Sequence, residues 1–147
     1  MIAIFLDIDG VLNQYNINER KRRTRTKGFD RAFDPFKKKV LRLAKLVKKY
    51  DIHIYIYSAW TQEDLEVFLP FKIYGDTYKQ IERVNEISKN YDYNILIDDE
   101  ITHIQDLGLL KSRVILYGVN YQYGLIKDDF IRLNNIINTI RKNKEKE

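Results

Sequence analysis

The stretch Met1-Ile2-Ala3-Ile4-Phe5-Leu6-Asp7-Ile8-Asp9-Gly10-Val11-Leu12-Asn13 decides how the rest of the chain is read. Its first six residues are an unbroken apolar run, the pattern of a strand buried on both faces. Two carboxylates, Asp7 and Asp9, follow at the strand end. Residues two apart point to the same side if the strand persists, and fan around one point if the chain has begun to turn. Two like charges held that close are costly unless a cation or a proton joins them. Gly10 lets the backbone fold sharply away. The arrangement suits a divalent metal and an attacking carboxylate at a loop mouth. The same letters also read as a strand entering an Asp-Gly hairpin turn.

Three later stretches weigh on that choice. Asp51-Ile52-His53-Ile54-Tyr55-Ile56-Tyr57 alternates β-formers and ends at Ser58-Ala59-Trp60. Lys79 follows Gly75-Asp76-Thr77-Tyr78, where a helix is expected to begin. Tyr93-Asn94-Ile95-Leu96-Ile97 runs straight into Asp98-Asp99-Glu100. Taken in order, these stretches and the first one resemble the haloacid dehalogenase-like phosphohydrolases. That family has four motifs: Asp-x-Asp-Gly after a strand, a strand ending in Ser or Thr, a Lys at a helix start, and a strand ending in paired acids. The resemblance covers residues 1 to about 100.

Alternation of strands and helices predicts a parallel sheet covered on both faces, an α/β fold of Rossmann-like, three-layer type. Residues 1–141 read as one domain with a basic flap at 14–33, and residues 142–147 as a frayed, solvated tail. Asp34-Pro35 reads as an N-cap with proline at the first helical position. The helix after it puts Phe36, Val40, Leu43, Ala44 and Val47 on one face, with Lys37, Lys38, Lys39, Lys45, Lys48 and Lys49 mostly outside. Thr61 caps a short helix through Phe68, and Asp76 or Thr77 caps one to about Asn90. Residues 72–74, 93–97 and 113–117 read as strands, and Lys127 to Arg141 as a final helix. Twenty residues between Gln14 and Phe33, and a 21-residue step from Ser58 to Lys79, are too short for a separate lid, so no cap domain is expected.

The resemblance implies a role for each site residue. Asp7 would be the nucleophile that forms an aspartyl-phosphate, and Asp9 the general acid and base. Ser58 would bind the phosphoryl oxygens and Lys79 would neutralise their charge. Asp7, Asp98, Asp99 and the main-chain carbonyl of Asp9 would hold Mg²⁺, with Asp98 favoured as the direct ligand. Asp9 also points to hydrolysis, because the dehalogenating branch generally lacks that second acid. Each residue has a plainer reading. Ser58 could cap a turn, Lys79 could be one solvated lysine among many, and Asp98-Asp99 could be an N-cap pair.

Length fits one domain with a core: the chain has 147 residues, no cysteine, and no run near the ~20 apolar residues of a transmembrane helix. Met1 opens directly on a core strand, which leaves no room for a signal peptide, and a cytoplasmic protein is expected. The net charge is +5. Residues 14–31 hold seven basic side chains, among them Arg20, Arg22 and Arg23, against Glu19 and Asp30, an excess of five that equals the charge of the whole chain. Such a segment beside a phosphate-cleaving site suggests RNA or DNA ends or nucleotides as partners, although charge runs are commonly solvated loops. Trp60 and Tyr57 could stack a base, although such aromatics are more often packing, the reading favoured for Tyr57; Asn13, Ala59 and Trp60 belong with Ser58, Lys79 and these arginines in the expected substrate site.

The segments 7–13, 58–60 and 97–100 look like the small capless branch associated with RNA-repair proteins, and are similar to the phosphatase half of polynucleotide kinase-phosphatases. The Gly124-Leu125 step fits that branch too. No Gly-rich Walker loop, and so no kinase half, is present in the sequence. Rival functions are a small-metabolite phosphatase, a protein phosphatase, and a non-catalytic nucleic-acid-binding module on the same fold. His53 is expected beneath a helix and His103 near the site; neither has a second His at metal-ligand spacing.

Overall fold

A computed structural model describes residues 1–13 and 35–145. Strands and helices alternate along them: β1 (Ile2–Leu6), α1 (Lys37–Tyr50), β2 (His53–Ile56), α2 (Gln62–Glu66), β3 (Ile73–Asp76), α3 (Ile81–Ser88), β4 (Tyr93–Asp98), α4 (Ile101–Leu107), β5 (Val114–Gly118) and α5 (Lys127–Glu145). The five strands form one parallel sheet in the order β3-β2-β1-β4-β5. Leu6 lies beside Ile56 on one side and Ile97 on the other. Asp7, Tyr57 and Asp98 therefore leave the sheet at one level. The chain winds outward from β1 to β3, then crosses to place β4 on the other side of β1. The carboxyl ends of β1 and β4 flank this reversal, the position where open α/β sheets bind ligands.

The apolar run of β1 is explained by its place at the centre. Ile2, Ala3, Ile4, Phe5 and Leu6 are all buried. Ile2, Ile4 and Leu6 face a core with Val40, Leu43 and Leu46 of α1 and Phe130, Leu133 and Ile137 of α5. Ala3 and Phe5 face Ile81 and Val84 of α3 and Ile104 of α4. The expected Rossmann-like three-layer sandwich is the observed fold. α2 and β3 fill the span from Ser58 to Lys79. No described helix is long and apolar enough to cross a membrane.

Several local expectations are corrected. α1 begins at Lys37 with Phe36 as its N-cap and no side-chain cap, so Pro35 lies ahead of the helix. The expected cap at Asp34, and the flap at 14–33, lie outside the described residues. Leu46 joins the buried face, and Lys39 turns inward. Its ammonium donates to the carbonyls of Tyr123 at 2.7 Å and Leu125 at 2.6 Å, partners that make a buried cation tolerable. Thr61 caps α2 as read, accepting from Asp64 N–H at 3.1 Å, but the helix ends at Glu66.

Neither Asp76 nor Thr77 caps α3, which starts at Ile81. Asp76 ends β3 and accepts from Tyr78 N–H and Gln62 N–H, while the Thr77 hydroxyl donates to Ile56 O. These bonds hold an extra turn in which Tyr78 and Lys79 adopt left-handed φ of 51° and 58°. The tail is helical to Glu145 rather than frayed from Lys142, and Lys144 donates to Asp92 at 2.6 Å. His53 sits among tyrosines, stacked on Tyr74 at 3.7 Å and bonded to the Tyr91 hydroxyl at 2.8 Å.

Candidate active site

The turn after β1 is built by its own backbone. Asp7 N–H still donates to Ile97 O, so Asp7 is held at the carboxyl end of the central strand. Val11 and Leu12 N–H both return to Ile8 O, and Gly10 takes φ 78°, a conformation costly for a side chain. The hairpin reading of Asp9-Gly10 is excluded, because β1 pairs only with parallel neighbours. Asn13 is buried and braces the turn: its Oδ1 accepts from Gly10 N–H at 2.7 Å and its Nδ2 donates to Asp9 Oδ1 at 2.9 Å.

Ser58 leaves β2 buried, and its Oγ accepts from Trp60 N–H at 3.1 Å. Trp60 packs edge-on against Phe68 and points its indole N–H at Asp9 Oδ1, 3.0 Å away. Ala59 and Lys79 are exposed. Asp7, Asp9, Ser58, Ala59, Lys79, Asp99 and Glu100 line one cavity of about 130 Å³. Larger hollows exist, such as one of about 460 Å³ beside Met1, Tyr50 and Arg141, but they lie away from the strand ends that carry the acids.

The electrostatics centre on three carboxylates. Asp7, Asp98 and Asp99 each offer an oxygen within 4.8 Å of the others. Burial, then the charge of Asp98, pushes the Asp7 carboxyl up to about 8, against the opposing pull of Lys79 and the Ile8 N–H. Asp99 is pushed up to about 6 by burial and then by Asp98. The same field reaches Tyr57, whose buried hydroxyl is raised to about 12 by burial and then by Asp98 and Asp7. Asp98 Oδ1 accepts from Glu100 N–H at 2.7 Å, but its Oδ2 is buried with no hydrogen-bond partner among the described residues. An orphaned carboxylate oxygen is expensive. A hard divalent cation among three carboxylates would satisfy it and relieve their repulsion, so these residues fit Mg²⁺. The Asp9 carboxylate is not part of this group; only its main-chain carbonyl was expected as a ligand.

Asp7, Asp9, Ser58, Ala59, Lys79 and Asp99 thus meet at one cavity, with Asp98 behind it. Asn13 and Trp60 contact Asp9 and are not among the residues that line the cavity. Arg20, Arg22 and Arg23 lie outside the described residues. His103 is exposed on α4 and is not among the residues that line the cavity. Sequence reasoning missed two participants: Glu100 lines the cavity, and Lys39 holds the loop after β5. Only Glu100 had a signal, as the third acid of its run. Tyr57 is buried, packed as the sequence favoured, with its hydroxyl in the acids' field.

Residues 3–107 match the family described as the HAD domain in Swiss Army Knife RNA repair proteins. The match spans well over half of the chain and includes Asp7, Asp9, Ser58, Lys79, Asp98 and Asp99. Comparisons with curated proteins and with solved structures returned no match. The paired acids of β1 and β4 meet at the reversal point of a parallel sheet, as the four motifs imply. The chain therefore belongs to this family of haloacid dehalogenase-like (HAD) domains, a membership that implies a phosphatase-type hydrolase.

Proposed function

We propose that the protein is a Mg²⁺-dependent phosphoric monoester hydrolase that acts on nucleic-acid ends, ahead of free nucleotides, through an aspartyl-phosphate on Asp7. The observation that carries this reading is the cavity that Asp7 shares with Asp9, Ser58 and Lys79, backed by Asp98 and Asp99. Bound among Asp7, Asp98, Asp99 and the Asp9 carbonyl, Mg²⁺ supplies positive charge that keeps the acids ionised and offsets the phosphoryl oxygens.

The chain's own residues supply the rest. The Ile8 N–H donates to Asp7 Oδ1 at 2.9 Å and fixes the rotation of that carboxylate. A carboxylate oxygen of Asp7 bonds to phosphorus as the bond from phosphorus to the leaving oxygen breaks. Asp9 passes its proton to that leaving oxygen. Ser58 Oγ and the Lys79 ammonium hold the phosphoryl oxygens as charge develops on them. Water then attacks the aspartyl-phosphate, Asp9 takes its proton, and the bond between phosphorus and Asp7 breaks to release orthophosphate.

The nucleic-acid part rests on the basic segment at 14–31, on a span from Ser58 to Lys79 too short for a lid, and on the RNA-repair proteins in which the matching family occurs. A second reading, a phosphatase of mononucleotides or small metabolites, is favoured by one observation. The groove beside Tyr78 is lined by Glu63, Glu66 and Asp76, and an acidic wall repels a long polyanion. A substrate panel with Mg²⁺ decides: 3′- and 5′-phosphorylated oligonucleotides, mononucleotides and phosphopeptides. The proposal expects the highest kcat/KM on an oligonucleotide end. Equal kcat/KM on mononucleotides supports the second reading, and a preference for phosphopeptides rejects both.

A further inference from the structure

We infer that Trp60 is a positioning residue for Asp9: its indole N–H, with the Asn13 amide, grips one oxygen of that carboxylate and sets the direction of the other. The inference rests on the proposed role of Asp9 as general acid and base. Asp9 Oδ1 accepts from Trp60 Nε1 at 3.0 Å and from Asn13 Nδ2 at 2.9 Å. The Asn13 amide has one workable orientation, because its Oδ1 must also accept from Gly10 N–H at 2.7 Å. The indole is held too. Its ring meets Phe68 edge-on at 6.2 Å, and its own N–H backbone group donates to Ser58 Oγ at 3.1 Å. One residue, through its indole and its backbone N–H, thus joins the acid on the β1 turn to the phosphate-binding hydroxyl at the end of β2.

The chemistry follows from donor placement. Two N–H donors converge on Oδ1, so a proton on Asp9 must reside on Oδ2. Asp9 lines the cavity, and Oδ2 is the oxygen left for the leaving group and later for water. A carboxyl free to rotate would spend much of its time with the wrong oxygen forward. Trp60 therefore matters most where the leaving oxygen needs a proton, and less where it departs without one.

Two measurements test this, and the first does not depend on activity. Trp60 is the only tryptophan in the chain, so its indole N–H gives a single unambiguous NMR resonance. Asp9→Ala should move that resonance upfield and speed its exchange with solvent. A resonance that stays put overturns the contact. The second is leaving-group dependence in Trp60→Phe, which keeps a ring against Phe68 but has no N–H. Its kcat/KM should fall about 10-fold further on an alkyl phosphate than on p-nitrophenyl phosphate, the scale of one hydrogen bond to a charged group. Equal losses on both esters overturn the positioning role, as a purely structural side chain would give. A loss confined to KM for nucleotides overturns it in favour of a base-stacking platform. If the unaltered protein hydrolyses neither ester, the proposed function fails, and the indole resonance alone judges the grip.

Discussion

Gly124 lies so close to Asn13 that a Cβ on it would stand 2.4 Å from the Asn13 carbonyl oxygen, and 2.6 Å from that of Val11. The contact joins the loop between β5 and α5 to the turn that carries Asp9. Leu125 N–H donates to Val11 O at 2.8 Å, and the buried Lys39 ammonium holds the carbonyls of Tyr123 and Leu125 from the other side. Gly124 also adopts φ +64°. Gly124→Ala combines a strained backbone with a clash against main chain that cannot swing aside. It should cost about 2 kcal/mol or more in urea denaturation, and lower turnover by displacing Asn13 and Asp9. An unchanged urea midpoint would show that the loop yields freely.

Asp7→Asn should remove several orders of magnitude in kcat and abolish any trapped aspartyl-phosphate. It should also stabilise the metal-free protein at neutral pH, since Asn spares the chain the proton that Asp7 must otherwise take up there on folding beside Asp98 and Asp99. Thermal melting in chelator checks the second claim independently of the first. Near-normal turnover in this variant would falsify the nucleophile assignment.

Stability should depend on pH in a direction set by the acids. In the folded chain Asp7 and Asp99 are raised to about 8 and about 6, above the ordinary 3.8 of an unfolded aspartate. The folded protein thus holds these protons more tightly than the unfolded one. Their contribution is whole below about 3.8 and is lost as pH rises through 6 and then 8. The melting temperature in chelator should therefore fall across that window, and fall less in Asp7→Asn. Mg²⁺ should reverse the fall, with affinity that rises with pH and with proton release detectable by calorimetry in two buffers. A flat melting profile in chelator would count against the cluster as drawn.

Changing Arg20, Lys21, Arg22, Arg23 and Arg25 together to Gln should raise KM for an oligonucleotide more than for p-nitrophenyl phosphate. Each lost phosphate contact should also flatten the log–log salt dependence of oligonucleotide binding by roughly one unit. Equal changes for the two substrates would remove the polymer reading and leave the phosphatase reading standing.

The core strands were legible because their signal is local. Ile2 to Leu6 and Ile95 to Ile97 are apolar without a break, and only a strand covered on both faces needs that. Helix starts were read less well. Asp34, Asp76 and Thr77 all have cap chemistry, but the side chains of Asp76 and Thr77 are spent on Gln62, Tyr78 and Ile56, partners set by the pairing of β2 with β3. Lys39 sits among lysines that look solvated, and nothing nearby in the chain announces the carbonyls of Tyr123 and Leu125, 84 and 86 residues away.

The sequence by itself determined the alternating α/β order, the acids at the ends of two strands, and the family, because these rest on residue type and short spacing. The tertiary structure alone decided which of those residues meet. Parallel pairing of β1 with β4 brings Asp7 within reach of Asp98 and Asp99, and burial there turns three ordinary aspartates into a strained, metal-fitting cluster. It also decided that Trp60 faces Asp9, 51 residues away, a contact that exists only because β1 and β2 end at the same level of the sheet.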